Sequence, residues 1–484
     1  MAAYKWIVLS NTTIGSFMAA LDISIVLIAL PVIIKDLPGT GAAEGVWIVL
    51  GYSLVTSTLI LNMGRLGDMF GRVKMYNLGF AIFTIGSFLC SISLDGLELN
   101  IFRIVEGIGA CFLWANSAAI ITDAFPLHER GKALGINQVA IVVGSVFGLV
   151  LGGILTGSLG WRSIFWVNVP IGIFGTIWAY GQLKEIGNIE RGKKLDIWGN
   201  AIFILGLTLL LAGVTFGPIY GWSLDTVSSV ASGVILLLAF VFIEKKVTDP
   251  MIDLKLFKIK VFAAGNVAIL FFALSRGAFR FMMVFYFQAL LGYGPLLAGI
   301  LLIPVSASVA LSGPLSGWLS DRYGPRWFAA CGLALTGTAF LIMSQLGAFV
   351  SYYLLFIPFC LLGIGMGLFS SPNRSVVLSS VPSQRRGIAA GTNSTLANVG
   401  LLVALGIGIA LMGATVPHNT LISIFDPASG QSVQSTGIAV PDFMRGLHNV
   451  FLLSSALSFI GMIPVIVGYR HVDQQLGETE EQTV

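Results

Sequence analysis

An all-α membrane protein of about fourteen transmembrane helices, built as two six-helix bundles plus two inserted helices, is the fold class this sequence predicts. Three observations carry that expectation. Apolar residues make up 56% of the chain and charged residues 10%, with a mean hydropathy of +0.89, against roughly 25% charge in a soluble domain. The apolar stretches recur at a length that suits a helix crossing a bilayer core of about 30 Å, roughly 20 residues each, rather than the alternating ~10-residue strands of a barrel. Finally, the chain repeats itself. Asp68-x-x-Gly71 is echoed by Asp321-x-x-Gly324, and Pro126-x-x-x-Arg130-Gly131-x-Ala133-x-Gly135-x-Asn137 by Pro382-x-x-x-Arg386-Gly387-x-Ala389-x-Gly391-x-Asn393.

Each helix is an apolar run closed by charge, glycine or proline. The first (6–32) is uncharged from Trp6 to Ile34 apart from Asp22. The second (45–63) and third (74–94) flank Gly64–Lys74, the fourth (99–124) and fifth (133–157) flank Pro126–Lys132, and the sixth (162–183) ends at Lys184. A pair at 197–217 and 226–243 lies between the basic stretches Arg191–Lys194 and Lys245–Lys260. The last six are 261–290, 295–319, 327–346, 352–380, 387–412 and 444–469, interrupted by Arg322 and Arg326 and by Arg385 and Arg386. Six spans fill only about the first 183 residues, so the repeat offsets require the middle pair to be an insertion. The expected organisation is a bundle at 1–183, an inserted hairpin with its linkers at 184–260, and a second bundle with a short tail at 261–484.

Basic residues fall in alternate loops, while the intervening loops hold little beyond Lys35, Arg162 and Arg445. The positive-inside rule therefore puts both termini in the cytoplasm of a multi-pass protein of the cell (plasma or inner) membrane. A net charge of +4 carries no nucleic-acid signal. Cys90, Cys111, Cys331 and Cys360 sit in apolar runs as small packing residues, and neither they nor the scattered histidines have metal-ligand spacing. No metal, no cofactor and no enzymatic motif is expected. Trp161 and Trp222 are expected in the interfacial belt. The loop at 414–443 and the acidic tail Glu478–Glu481 are expected to be solvated, with no assigned role.

The first basic hairpin, Gly64-Arg65-Leu66-Gly67-Asp68-Met69-Phe70-Gly71-Arg72-Val73-Lys74, resembles the signature loop of the major facilitator superfamily, and Gly317–Arg326 resembles its second-half copy. Glycines allow the tight turn, and an aspartate beside a helix N-terminus interacts favourably with its dipole. The resemblance implies the major facilitator fold, with Gly64, Asp68, Gly71 and Arg72 as a conformational latch, Asp123 as partner, and Asp321 and Gly324 as the echo. Met69 stands where the family usually has a basic residue. In the fourth span, Arg103-Ile104-Val105-Glu106-Gly107 is similar to the family's proton-transfer segment, with Glu106 where glutamine is usual. Gly144, Gly148, Gly152 and Gly153 resemble the antiporter segment that marks exporters, with Leu149 in place of its proline. Leu21-Asp22-Ile23-Ser24-Ile25-Val26-x-x-Ala29-Leu30-Pro31 is similar to the first helix of the fourteen-helix subfamily, chiefly drug:proton antiporters.

An ionisable side chain at membrane depth costs about 3 kcal/mol or more unless it pairs or protonates, so Asp22 is a functional-site candidate by default. Arg103 and Glu106 share a helix face three residues apart, and together with Asp22 they are the expected proton-coupling residues. Arg276 and Arg280, four apart in the ninth span, lie far from the basic loop that ends at Lys260. One of them is expected to neutralise a carboxylate across the halves and the other to favour substrates with an anionic or zwitterionic group. Aromatic and amide side chains within spans suit amphipathic ligands. The remaining substrate-binding candidates are Tyr52, Trp114, Asn116, Asn137, Gln138, Phe279, Tyr286, Gln288 and Asn373. The expected function is proton-coupled export of lipophilic or amphipathic small molecules by a monomer embedded in the lipid bilayer. The alternatives are a lipid, lysolipid or metabolite translocator of the same fold, or an uptake symporter.

Overall fold

The computed structural model describes residues 2–38, 40–186, 196–247, 250–382, 385–416 and 439–470. Among the described residues every regular element is helical, and fourteen helical spans are long and apolar enough to cross a membrane. The helices are α1 (Ala2–Asp36), α2 (Ala42–Phe70), α3 (Arg72–Ile92), α4 (Gly96–Ala124), α5 (Leu127–Leu159), α6 (Ser163–Trp166), α7 (Asn168–Gln182), α8 (Ile197–Tyr220) and α9 (Leu224–Glu244). They continue with α10 (Lys260–Arg276), α11 (Phe279–Phe285), α12 (Pro295–Leu301), α13 (Ile303–Tyr323), α14 (Pro325–Met343), α15 (Tyr352–Ser379), α16 (Arg386–Thr415) and α17 (Ala439–Gly468). Much of the loop at 414–443 and the whole acidic tail lie outside the described residues, as do the side chains of Asp321 and Arg386.

Two compact units result. The first comprises the described chain up to Leu207 together with Val284–Leu301, and the second comprises Thr208–Met283 with the described chain from Leu302 onward. In the first unit α1 packs along α5, while α3 and α2 both pack on α4; in the second α10 packs along α16, while α14 and α13 both pack on α15. The pairing order thus repeats within each unit, as the sequence echo requires. Tyr76, Phe80, Phe83 and Leu113 centre one core; Phe272, Leu333, Phe369 and Tyr469 centre the other. The contact division differs from the sequence boundaries in placing 284–301 with the first unit. Gly153 meets the backbone of Leu296 there, Gly299 meets the Leu149 carbonyl, and Gln288 Nε2 donates to the Ile28 carbonyl at 2.9 Å.

Several elements depart from smooth spans. The signature hairpin is helix to Phe70, a single Gly71 at φ +102°, then helix again from Arg72; Gly324, at φ +87°, makes the equivalent join between α13 and α14. Only glycine takes such a backbone without strain. The sixth span divides into α6 and α7, the ninth is interrupted at Gly277–Ala278 and ends in a π-helical turn at Tyr286–Leu290, and the tenth divides into α12 and α13. Trp161 is buried beneath the Arg162 guanidinium (4.3 Å), and Trp222 is exposed. Cys331 is exposed, whereas Cys90 and Cys111 are buried as packing residues.

Candidate functional site

Three glycines of α5 hold α1 in place at Asp22. A Cβ at Gly144, Gly148 or Gly152 would lie 2.6, 2.5 or 3.0 Å from the carbonyls of Phe17, Leu21 and Ile25 respectively. Glycine every fourth residue therefore lets the two backbones touch along one stripe, and Asp22 lies on the turn of α1 that this stripe clamps. On the other side Gly86 of α3 abuts the Glu106 backbone, where a Cβ would come within 2.7 Å of its Cα.

Inside that frame, Asp22, Arg103 and Glu106 meet and are at most 1% exposed. Arg103 Nη1 donates to Asp22 Oδ2 and to Glu106 Oε2, both at 2.7 Å, while Arg103 Nε donates to the Ile48 carbonyl at 3.3 Å. The guanidinium lies 4.2 Å from the Tyr52 ring centroid, a cation–π contact with a buried partner. Asn168 Nδ2 donates to Asp22 Oδ1 and to Ser87 Oγ, each at 3.2 Å, and the Cys90 thiol approaches Glu106 Oε2 at 3.6 Å. Among the described residues, buried Glu106 Oε1 has no partner within hydrogen-bond geometry. One guanidinium facing two carboxylates leaves the cluster one negative charge in excess when both acids are ionised. A buried excess charge is costly, so the chemistry this arrangement suits is taking up and releasing a proton.

A second cluster sits at the α2–α3 join. Arg72 reaches back to Asp68 Oδ1 (2.8 Å) and across to both oxygens of Asp123 on α4 (2.8 Å each). The α3 amides of Arg72 and Val73 donate to Glu185 Oε1 and Oε2, both at 3.0 Å. Asp68 lies in the last turn of α2 and accepts from the side chain of Arg72, the first residue of α3. Glu185 provides the N-terminal carboxylate. A Cβ at Gly64 would be in ordinary contact with Ala115.

Most of the amphipathic-ligand candidates contact other side chains of the protein. Tyr52 lies under Arg103. Trp114 is half-buried against the first core, and Asn116 donates to the Phe112 carbonyl at 2.9 Å. Asn137 donates to Thr12 O, Ser16 Oγ and Ser117 Oγ (3.3, 3.1 and 3.4 Å), and its repeat partner Asn393 donates to Asn266 Oδ1 at 3.3 Å. Both therefore knit the helices of their own unit. Gln138 is exposed. Phe279 is buried among Phe340, Phe359 and Phe451, and Tyr286 is buried against Phe287. Asn373 accepts from Tyr469 Oη at 2.6 Å. Arg280 Nη2 donates to Ser306 Oγ at 3.0 Å, and Arg276 stacks over Phe272 at 4.9 Å.

The sequence profile of the Major Facilitator Superfamily matches residues 12–404 and 265–482. The chain belongs to that superfamily. It is a multi-pass membrane transporter of small molecules and not an enzyme, in keeping with its relatives. It is 31% identical to the riboflavin transporter RibZ of Clostridioides difficile (strain 630), over 98% of this chain and 99% of that one. It is 32% identical to the multidrug resistance protein Stp of Mycobacterium tuberculosis (strain CDC 1551 / Oshkosh), over 84% of this chain and 74% of that one. Among solved structures, the inward-facing bacterial homolog of the human lysosomal transporter Spinster aligns over 96% of this chain and 97% of its own, with a TM-score of 0.66 at 18% identity. That likeness carries the fold alone.

Proposed function

We infer that this transporter is a proton-coupled exporter of lipophilic or amphipathic small molecules, acting by alternating access. The observation that carries the reading is the buried cluster in which a single guanidinium, that of Arg103, serves both Asp22 and Glu106. With one acid protonated the cluster is electroneutral. Admitting water, or moving Arg103 away from one carboxylate, changes the balance between desolvation and Coulomb attraction, so the proton leaves on one side and returns on the other. The resemblance to drug:proton antiporters and the similarity to Stp support export of drug-like compounds. On this reading the Arg72–Asp68–Asp123 cluster is a latch on the cytoplasmic face, both termini are cytoplasmic, and the cell membrane houses the protein as a monomer. The pair α8–α9 is an insertion between two six-helix halves.

The test is transport in energised everted vesicles. Wild type should accumulate a lipophilic dye against its gradient, and Asp22→Asn should not. Uphill accumulation by Asp22→Asn would remove the assignment. A second reading, movement of a flavin-like metabolite, is favoured by the nearly full-length similarity to RibZ. Flux of labelled riboflavin in the same vesicles, inward or outward under an imposed proton gradient, separates it from drug export.

A further inference from the structure

We propose that Arg276 and Arg280 form the binding site for a single anionic group on an amphipathic substrate. This deepens the exporter reading and rests on it. Between Val261 and Val416 the sequence holds seven arginines and one carboxylate, Asp321. The backbone of Asp321 lies fifteen residues beyond Ser306 on α13, about 22 Å along a helix rising about 1.5 Å per residue. Among the described residues neither Arg276 nor Arg280 has a carboxylate in ion-pair range. Arg280 makes one hydrogen bond, to the Ser306 hydroxyl, and Arg276 Nε is buried with none.

Snorkelling does not account for the pair. Arg276 stands sixteen residues and Arg280 twenty residues into the span Lys260–Leu290, about 24 and 30 Å from its start and about 21 and 15 Å from its end. Charges at such depth occur where they face a partner or an aqueous path. Two like charges four residues apart also repel. The C-terminus of α10 offsets part of the cost for Arg276 through the helix dipole, but Arg280 has no such compensation. Independently, the helical hydrogen bonding is interrupted between them at Gly277–Ala278, where a Cβ on Gly277 would come within 2.4 Å of the Leu401 carbonyl. Interrupted helices at membrane depth are tolerated where they are buried in protein or line a cavity, and in transporters they mark substrate sites. Two guanidiniums four residues apart in one span each offer N–H donors suited to a carboxylate or a phosphodiester anion. Phe272 beneath Arg276 and Phe279 beside Arg280 in sequence leave the surroundings apolar, which suits the rest of an amphipathic molecule.

The shared chemistry is a monoanion. It can come from a soluble organic acid or from a lipid headgroup, and the test separates the two. Purified protein in neutral detergent, without any proton gradient, is titrated with a carboxylate-bearing rhodamine and with its methyl ester, followed by fluorescence anisotropy. The acid should bind at least about tenfold more tightly than the ester, as expected for a charge-assisted hydrogen-bonded contact. Arg276→Gln with Arg280→Gln should erase the preference, and the paired lysine variants should keep part of it. Displacement of the dye by lysophosphatidylglycerol but not by lysophosphatidylcholine identifies a lipid headgroup as the anion; displacement by neither identifies soluble acids. Equal binding of acid and ester, absence of binding by every anionic probe, or a preference unchanged in the glutamine variants would overturn the proposal. Should the double variant not fold, Arg280→Gln against Arg280→Lys carries the comparison. No gradient enters this assay, so its failure leaves the export test standing, and failure of export leaves this one readable.

Discussion

Replacing Arg103 by Gln removes the guanidinium that serves two buried carboxylates. The guanidinium donates to Asp22 and Glu106 at 2.7 Å each and to the Ile48 carbonyl at 3.3 Å. Removing one partner from a buried ion pair costs about 3–5 kcal/mol, because the remaining charge stays desolvated. Here a single substitution strands two acids, so Arg103→Gln should destabilise the protein by at least the lower end of that range. Adding Asp22→Asn to Arg103→Gln removes one stranded charge and should recover stability, with a coupling energy of about 1–3 kcal/mol between contacting sites. Buried, free Cys90 and Cys111 supply the assay: a thiol-reactive fluorophore labels them only on unfolding, above a background from exposed Cys331. A melting curve for Arg103→Gln indistinguishable from wild type, or a double variant less stable than the single one, would refute the reasoning.

Other perturbations test the frame around the cluster. Glu185→Ala uncaps two α3 amides and should cost about 1 kcal/mol in the same melting assay, with Glu185→Gln intermediate. Gly148→Val drives a side chain into the Leu21 carbonyl, so it should destabilise by about 1–3 kcal/mol and abolish dye efflux, whereas Gly157→Ala, with open space around it, should leave both unchanged. Asn62 and Asn200 exchange amide hydrogen bonds between α2 and α8. Either single leucine replacement should cost about 1 kcal/mol, and the double replacement should cost less than the sum, as a thermal double-mutant cycle would show.

What the sequence made legible is what membrane physics makes conspicuous. Asp22, Arg103 and Glu106 stand out because charge inside an apolar run has few explanations, and the structure brings all three together. Asp68 and Arg72 stand in the signature hairpin, whose repeated glycine is needed for its positive φ, and Asp123, at the inner end of the fourth span, is their expected partner. Glu185 and Asn168 were missed for the opposite reason. A glutamate in a mixed basic loop and an asparagine at a helix start are ordinary residues, and only tertiary packing brings them to the α3 amides and to Asp22. The amide and aromatic candidates are less distinctive, because the same side chains also serve as interhelical hydrogen-bond donors. Asn137 and its echo Asn393 do so within their own units. The break at Gly277 left only a weak trace, a glycine flanked by two arginines in an otherwise apolar span.

Infrared difference spectroscopy of the purified protein tests the central claim most directly, because it sees a protonated carboxyl group without requiring a substrate. Wild type should show a C=O stretch of a buried carboxylic acid that vanishes in Glu106→Gln or Asp22→Asn. Absence of such a band in wild type, or a band that persists in both variants, would contradict a proton held among Asp22, Arg103 and Glu106.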